Sequence, residues 1–326
     1  MIWTRRAATT ALVSSAFGAA IAQPEPAPLL KRIRIATMAA TNFKAAVDWY
    51  TTWLGYGTTA TGKIDAATAA SWGTPKMAGK SFTILASPGS KDAVLRVVEI
   101  DAPPPDTSGR PTLGWGGVEI AVKDGYKLYE RYKTGPVEII RPPSSIGVGF
   151  DSIHAMQVRG PTGETLGLTM ETGDQAKSEL PVPQAEIDRP FITIVMTPDI
   201  AVQRDFYVKM FKVAPYRVYS LKNPKRSKVL GLPEDHIYDL TLVRGSIQGN
   251  VIEIGSLPPP GGPRPRADGQ LPPGNAIMSF GVSALGGLGA KFVASPAKAT
   301  LEPYAGARVA TLIGPAGELM ELVEEA

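Results

Sequence analysis

The sequence predicts an α+β protein made of four modules, each one strand, one helix and three strands, arranged as two copies of one domain. Repetition carries the first half of that expectation. Gly160-Pro161-Thr162-Gly163-Glu164 returns after 154 residues as Gly314-Pro315-Ala316-Gly317-Glu318, and Trp49-Tyr50 returns after 157 as Phe206-Tyr207. The triple proline that starts at Pro103 returns after 155, at Pro258. Landmarks of unlike composition at nearly one offset point to a duplication. Periodicity carries the second half, because short strand-like runs are interrupted, once in each of the first three modules, by a helical spacing.

Residues 1–22 precede the first module and read as a signal peptide: Arg5-Arg6, a small and apolar run from Ala11 to Ala19, and Ala20-Ile21-Ala22 as an A-x-A cleavage site. Export to the periplasm or medium is expected, by the Sec route or, given the paired arginines, the Tat route. No stretch approaches the roughly 18–20 apolar residues of a membrane span, so no membrane anchor is expected.

From Arg32 to Met38 charged and apolar residues alternate as in a strand; Thr41-Asn42 then offers a cap for a helix with Phe43, Val47, Tyr50 and Leu54 on one face, closed by Gly55. Strands over 81–86 and 94–100 follow, then a proline-rich crossing. The second module starts with a strand over 117–122 and a helix over 126–133, followed by strands at 137–141, 153–158 and 165–171. The second copy repeats the scheme, with strands at 191–196, 238–243, 251–254, 277–282, 308–313 and 319–324 and a helix over 199–211. The predicted boundaries are a first domain at 30–172 (modules 30–105 and 112–172), a linker at 173–189, and a second domain at 190–326 (modules 190–258 and 275–326). The glycine run from Gly281 to Gly289 weakly echoes a dinucleotide fingerprint but falls where the scheme wants a short helix, which its glycines would loosen.

Composition removes several functions. There is no cysteine, hence no disulfide, thiolate nucleophile or Cys-ligated metal. The net charge of +4 is spread out, and the densest basic stretch, Lys222 to Lys228, has no interleaved aromatics, so nucleic acid is not an expected partner. No Gly-x-Ser-x-Gly elbow is present.

The strand that feeds Thr41-Asn42-Phe43-Lys44-Ala45-Ala46-Val47-Asp48-Trp49-Tyr50, ended a domain later by Gly-Pro-x-Gly-Glu, resembles the vicinal oxygen chelate superfamily of glyoxalase I, the fosfomycin and bleomycin resistance proteins, extradiol dioxygenases and methylmalonyl-CoA epimerase. The resemblance covers nearly the whole chain after the leader. It implies two glyoxalase-like domains, each a curled, mostly antiparallel sheet forming a cup, with a metal held inside by His and Glu from the first and last strands of each module. Those positions fall here on Ile35, Arg96, Gly117 and Gly167 in the first domain and on Ile192, Glu253, Ile277 and Glu321 in the second. A catalytic transition ion wants about three protein ligands, usually with imidazole among them, and neither His154 nor His236 falls at one of these positions. No cofactor is therefore required, although two carboxylates are compatible with a weakly held divalent ion.

The site expected on these grounds has Glu253 and Glu321 facing one cavity, where burial and mutual repulsion would raise one pKa and leave one acid and one base. That suits a lyase or isomerase acting on a small organic molecule. The alternative is a non-catalytic binding protein of the same fold. Arg96, Glu119, Ile192 and Ile277 are the expected ligand-contacting residues, with Arg96 expected to pair internally with Glu119, on the same strand face as Gly117. The protein is expected as a monomer or homodimer.

Overall fold

The computed structural model describes residues 27–105, 111–147, 150–222, 227–228, 231–257 and 261–325. The leader lies outside them, as do Pro258, Lys225 and Arg226. Module one comprises β1 (Leu30–Ala40), α1 (Phe43–Trp49) running on as a π turn (Tyr50–Leu54), β2 (Gly57–Lys63), a short inserted helix α2 (Ala66–Ser71), β3 (Ser81–Ser87) and β4 (Ser90–Glu99). Module two comprises β5 (Gly114–Val122), α3 (Gly125–Lys133), β6 (Ile139–Ser145), β7 (Ile153–Arg159) and β8 (Thr165–Glu171). Module three comprises β9 (Ile187–Thr197), α4 (Ile200–Phe211), β10 (Tyr219–Lys222), β11 (Ile237–Arg244) and β12 (Val251–Ser256). In module four β13 (Gly274–Val282), β14 (Ala297–Lys298), β15 (Arg308–Ile313) and β16 (Leu319–Glu324) follow one another with turns where the other modules have a helix. The caps lie where the sequence puts them: Asn42 Oδ1 accepts from Ala45 N at 3.2 Å, and Gly55 closes the turn at φ 69°.

The strands form two eight-stranded sheets, and these do not join the modules in chain order. The first runs β14-β15-β16-β13-β1-β4-β3-β2 and unites modules one and four; the second runs β10-β11-β12-β9-β5-β8-β7-β6 and unites modules two and three. The expectation of one cup per sequence half is corrected here. Antiparallel seams β1/β13 and β5/β9 join the pairs, while modules adjacent in sequence meet through helix faces and buried side chains.

One main core lies between the sheets. Ala36, Met38 and Ala40 of β1 point into it together with Val118 and Ile120 of β5, Val195 of β9, Phe280 of β13 and the helix residues Tyr50, Leu128, Tyr132, Tyr207 and Phe211. The alternate residues, Ile35 and Ala39 on β1, pack into a second cluster on the other face of the first sheet.

Two of the repeated landmarks, the helix aromatics and the glycine turns, meet at this core. The hydroxyl of Tyr50 donates to Glu164, and that of Tyr207 donates to Glu318 at 2.6 Å. Each bond ties a helix to the Gly-Pro-x-Gly-Glu turn one module later. The first glycine of each turn leaves room for the carboxylate, since a Cβ on Gly160 or Gly314 would lie 1.7 or 1.8 Å from it. The second takes positive φ, 89° at Gly163 and 79° at Gly317. Burial, reinforced by the neighbouring glutamate, pushes both tyrosines well above their usual pKa and keeps them donors.

Candidate functional site

The eight chelating positions split four and four between the sheets, but in a different grouping from that expected. Ile35, Arg96, Ile277 and Glu321 share the first sheet; Gly117, Gly167, Ile192 and Glu253 share the second. Glu253 and Glu321, expected across one cavity, therefore lie on different sheets. The internal partner of Arg96 is Glu321 rather than Glu119.

The concave side of the first sheet is filled. Arg96 Nη2 meets Glu321 Oε2 at 3.1 Å, with the two residues only 2% and 4% exposed. Arg96 Nε donates to Thr37 Oγ1 at 3.0 Å, Ser279 Oγ donates to Glu321 Oε2 at 2.6 Å, and Trp72 Nε1 donates to Glu321 Oε1 at 2.8 Å. The guanidinium also stacks 4.6 Å over the Trp72 ring. Trp72 arrives on the C-terminal end of α2, whose first turn is capped by Asp65 accepting from Thr68 N at 2.7 Å. Met77, Leu271 and Tyr304 complete the plug, all buried. Ile277 is part of this packed cluster, which leaves it no open surface for a ligand. The donor chemistry does not suit a metal, because a guanidinium already supplies the positive charge at Glu321.

The second sheet presents a half-open face. Register places Arg141, Gln157, Gly167, Glu119 and Ile192 side by side across β6, β7, β8, β5 and β9. Paired neighbours share a face, so these side chains project together. A second row runs from Gly117 through Ile194 and Glu253 to Leu242. Glu119, Gln157, Ile192, Ile194, Leu242 and Glu253 are all half-buried, in contrast with the fully buried first-sheet residues. Phe150, from the turn before β7, reaches Tyr219 of β10 with ring centroids 6.0 Å apart, so the two edges of the sheet approach each other.

Glu119 is the chemically distinctive group. Thr169 Oγ1 donates to its Oε2 at 2.8 Å. Burial raises its pKa against the lowering influence of that hydrogen bond and of the Arg141 charge. Gly167 exists to accommodate it, because a Cβ there would lie 2.9 Å from Glu119 Cγ. Two donors on this sheet, Arg141 Nε and Tyr219 Oη, are buried and unpartnered. Among the described residues no three His, Asp or Glu side chains come together as a metal would require, and Glu119 and Glu253 alone do not make such a donor set.

Sequence reasoning thus named Glu119, Ile192 and Glu253, which share the open sheet, but assigned Glu119 to the first domain and the other two to the second. It missed Arg141, Gln157, Thr169 and Tyr219, which lie on outer strands or beside a chelating position and belong to no repeated landmark. It also missed Thr37, Ser279 and Trp72. The alternation of β1 and β13 around Ile35 and Ile277 carried a signal for the first two, each one inward position further along its strand.

This architecture has known counterparts. Glyoxalase I from Zea mays superposes with a TM-score of 0.57 at 16% identity, covering 90% of this chain and 92% of that one. A putative dioxygenase from Bacillus subtilis subsp. subtilis str. 168 gives 0.56 at 12% identity, over 91% and 86%. The chain has a glyoxalase-like fold built on two eight-stranded sheets. No protein-family model matches the sequence, and no curated protein matches it either.

Proposed function

We propose that the concave face of the second sheet binds a small organic molecule and exchanges a proton with it through Glu119, making the protein a lyase or isomerase. One observation carries this reading: a half-buried carboxyl with a raised pKa, held by Thr169 and faced by Arg141, on a sheet face that remains partly open. A carboxyl shifted toward neutrality is suited to both taking and returning a proton. Ile192, Ile194 and Leu242 supply the apolar floor, the unpartnered Arg141 Nε and Tyr219 Oη supply donors for an oxygen on the ligand, and Glu253 is the second carboxylate of that face. Glu321, paired with Arg96 beneath Trp72, is assigned to stability. The reaction needs no cofactor in this reading.

The test starts with native mass spectrometry of the purified protein to identify a co-purifying molecule, whose solvent deuterium uptake is then followed by NMR. Wild-type protein should catalyse uptake, and Glu119→Gln should abolish it while retaining the molecule. A ligand held without any deuterium uptake would instead establish sequestration, the reading favoured by the apolar floor alone. We further propose that residues 1–22 direct export, so that N-terminal sequencing of the secreted protein should begin at Gln23.

A further inference from the structure

A cleft of about 260 Å³ opens at the end of the molecule where β5, β13 and β16 begin, and none of the concave-face residues lines it. Trp115, Leu113 and Ile313 give it apolar walls, while Arg264, Arg266, Asn275 and the carboxyl of Glu318 supply polar groups. The cleft is built by the proline-rich crossings: Leu113 N donates to Gly262 O at 2.8 Å, and Gly262 N donates to Pro111 O at 3.0 Å. Arg264, carried on the second crossing, is fixed by donating from Nη1 to Pro273 O at 2.8 Å and to Asn275 O at 2.9 Å, and from Nη2 to the Trp115 carbonyl. Three of its five N–H donors are thereby used.

Asn275 is the anomaly. It is 2% exposed, and neither its Nδ2 nor its Oδ1 has a hydrogen-bond partner. A buried amide unpaired at both ends is among the most destabilising arrangements a small polar side chain can have. A packed sheet strand would be better served there by leucine. The nearby Glu318 does not relieve it, since that carboxylate accepts from Tyr207, Gln203 and Ala316 N.

We propose that this cleft is a second binding site, independent of the second-sheet face, for a small apolar acid carrying a hydroxyl beside its carboxylate. Arg264, Arg266 and Asn275 Nδ2 take the carboxylate, Asn275 Oδ1 accepts from the hydroxyl, and the apolar body packs on Trp115, Leu113 and Ile313. Size agrees: 260 Å³ is far above the ~10–15 Å³ of such space that a single water needs, and leaves room for one substituted ring.

Isothermal titration of the full chain with mandelate, against uncharged 1-phenylethanol, tests the assignment. Mandelate should bind saturably and 1-phenylethanol at least about tenfold more weakly, the loss of a charge-assisted pair. Asn275→Leu should abolish mandelate binding and at the same time raise the melting temperature, because it removes the unpaired amide. The exposed Arg266→Ala, which disturbs no packing, should weaken binding about tenfold. Arg141→Ala, on the other face, should leave the titration unchanged. The proposal is overturned by the absence of saturable heat at millimolar mandelate, by undiminished binding in Asn275→Leu or Arg266→Ala, or by loss of binding in Arg141→Ala.

Discussion

Glu321, on β16 beside the seam of the first sheet, and Glu119, on the seam strand β5 of the second, are both inward carboxylates, and their surroundings could hardly differ more. Glu321 accepts from Trp72, Arg96 and Ser279 at 2.8, 3.1 and 2.6 Å and is almost wholly buried. Glu119 has a single short contact, from Thr169, and its counter-charge Arg141 forms no ion pair with it. The strands of the two sheets are alike; what separates them is the insertion of α2 between β2 and β3, which delivers Trp72 over the first sheet. One sheet has thus been converted into core, and the other retains a face that a ligand can reach.

The largest effect that would break this comparison is on stability. Arg96→Ala leaves Glu321 buried without its counter-ion and should cost about 3–5 kcal/mol, read as a lowered urea midpoint. Arg141→Ala, whose Nε is already unpaired, should change the midpoint by no more than about 0.5 kcal/mol. Equal losses would mean that the second sheet is as thoroughly cross-braced as the first.

A smaller loss is expected from the repeated tyrosines. Tyr50→Phe and Tyr207→Phe each remove one hydrogen bond to a buried glutamate and should each cost about 1.5–3 kcal/mol in the same unfolding measurement. Similar values would show that the landmarks at the common offset are struts, one per sequence half. A loss at only one position would restrict the strut to that half.

Those struts explain what was legible in the sequence. The duplication, the modules, the helix caps and the turn glycines are local or repeated, and local rules set them. The partnership of the modules was not legible, because a strand's apolar alternation specifies which face is buried but not which of several similar strands lies beside it. The site was misgrouped for the same reason. Arg96 and Glu321 are 225 residues apart and meet only because β1 pairs with β13. Trp72 gave no warning either, since it sits in an insertion that the module scheme does not contain.

A third prediction sharpens the open sheet itself. Gly167→Ala places a methyl 2.9 Å from Glu119 Cγ and must displace that side chain from Thr169. The expected outcome is loss of ligand deuterium uptake with a stability cost of only about 1–3 kcal/mol. If uptake survives, Glu119 is not the proton-transfer group and Glu253 becomes the carboxylate to replace next.

The smallest effect is a slope. Burial holds the Glu119 pKa above its ordinary 4.5, so between 4.5 and the folded value the native state keeps a proton that the unfolded chain has released. Stability must therefore fall as pH rises through that window, and the deficit persists at neutral pH. Glu318, also raised by burial, adds a decline of the same sign. Glu119→Gln should remove only the Glu119 share: the melting temperature at neutral pH rises above wild type, the two proteins converge toward pH 4, and the remaining slope belongs to Glu318. Parallel curves across the whole range would show that Glu119 ionises as freely in the folded protein as in the unfolded chain, and the second sheet would lose the property that sets it apart from an ordinary solvated surface.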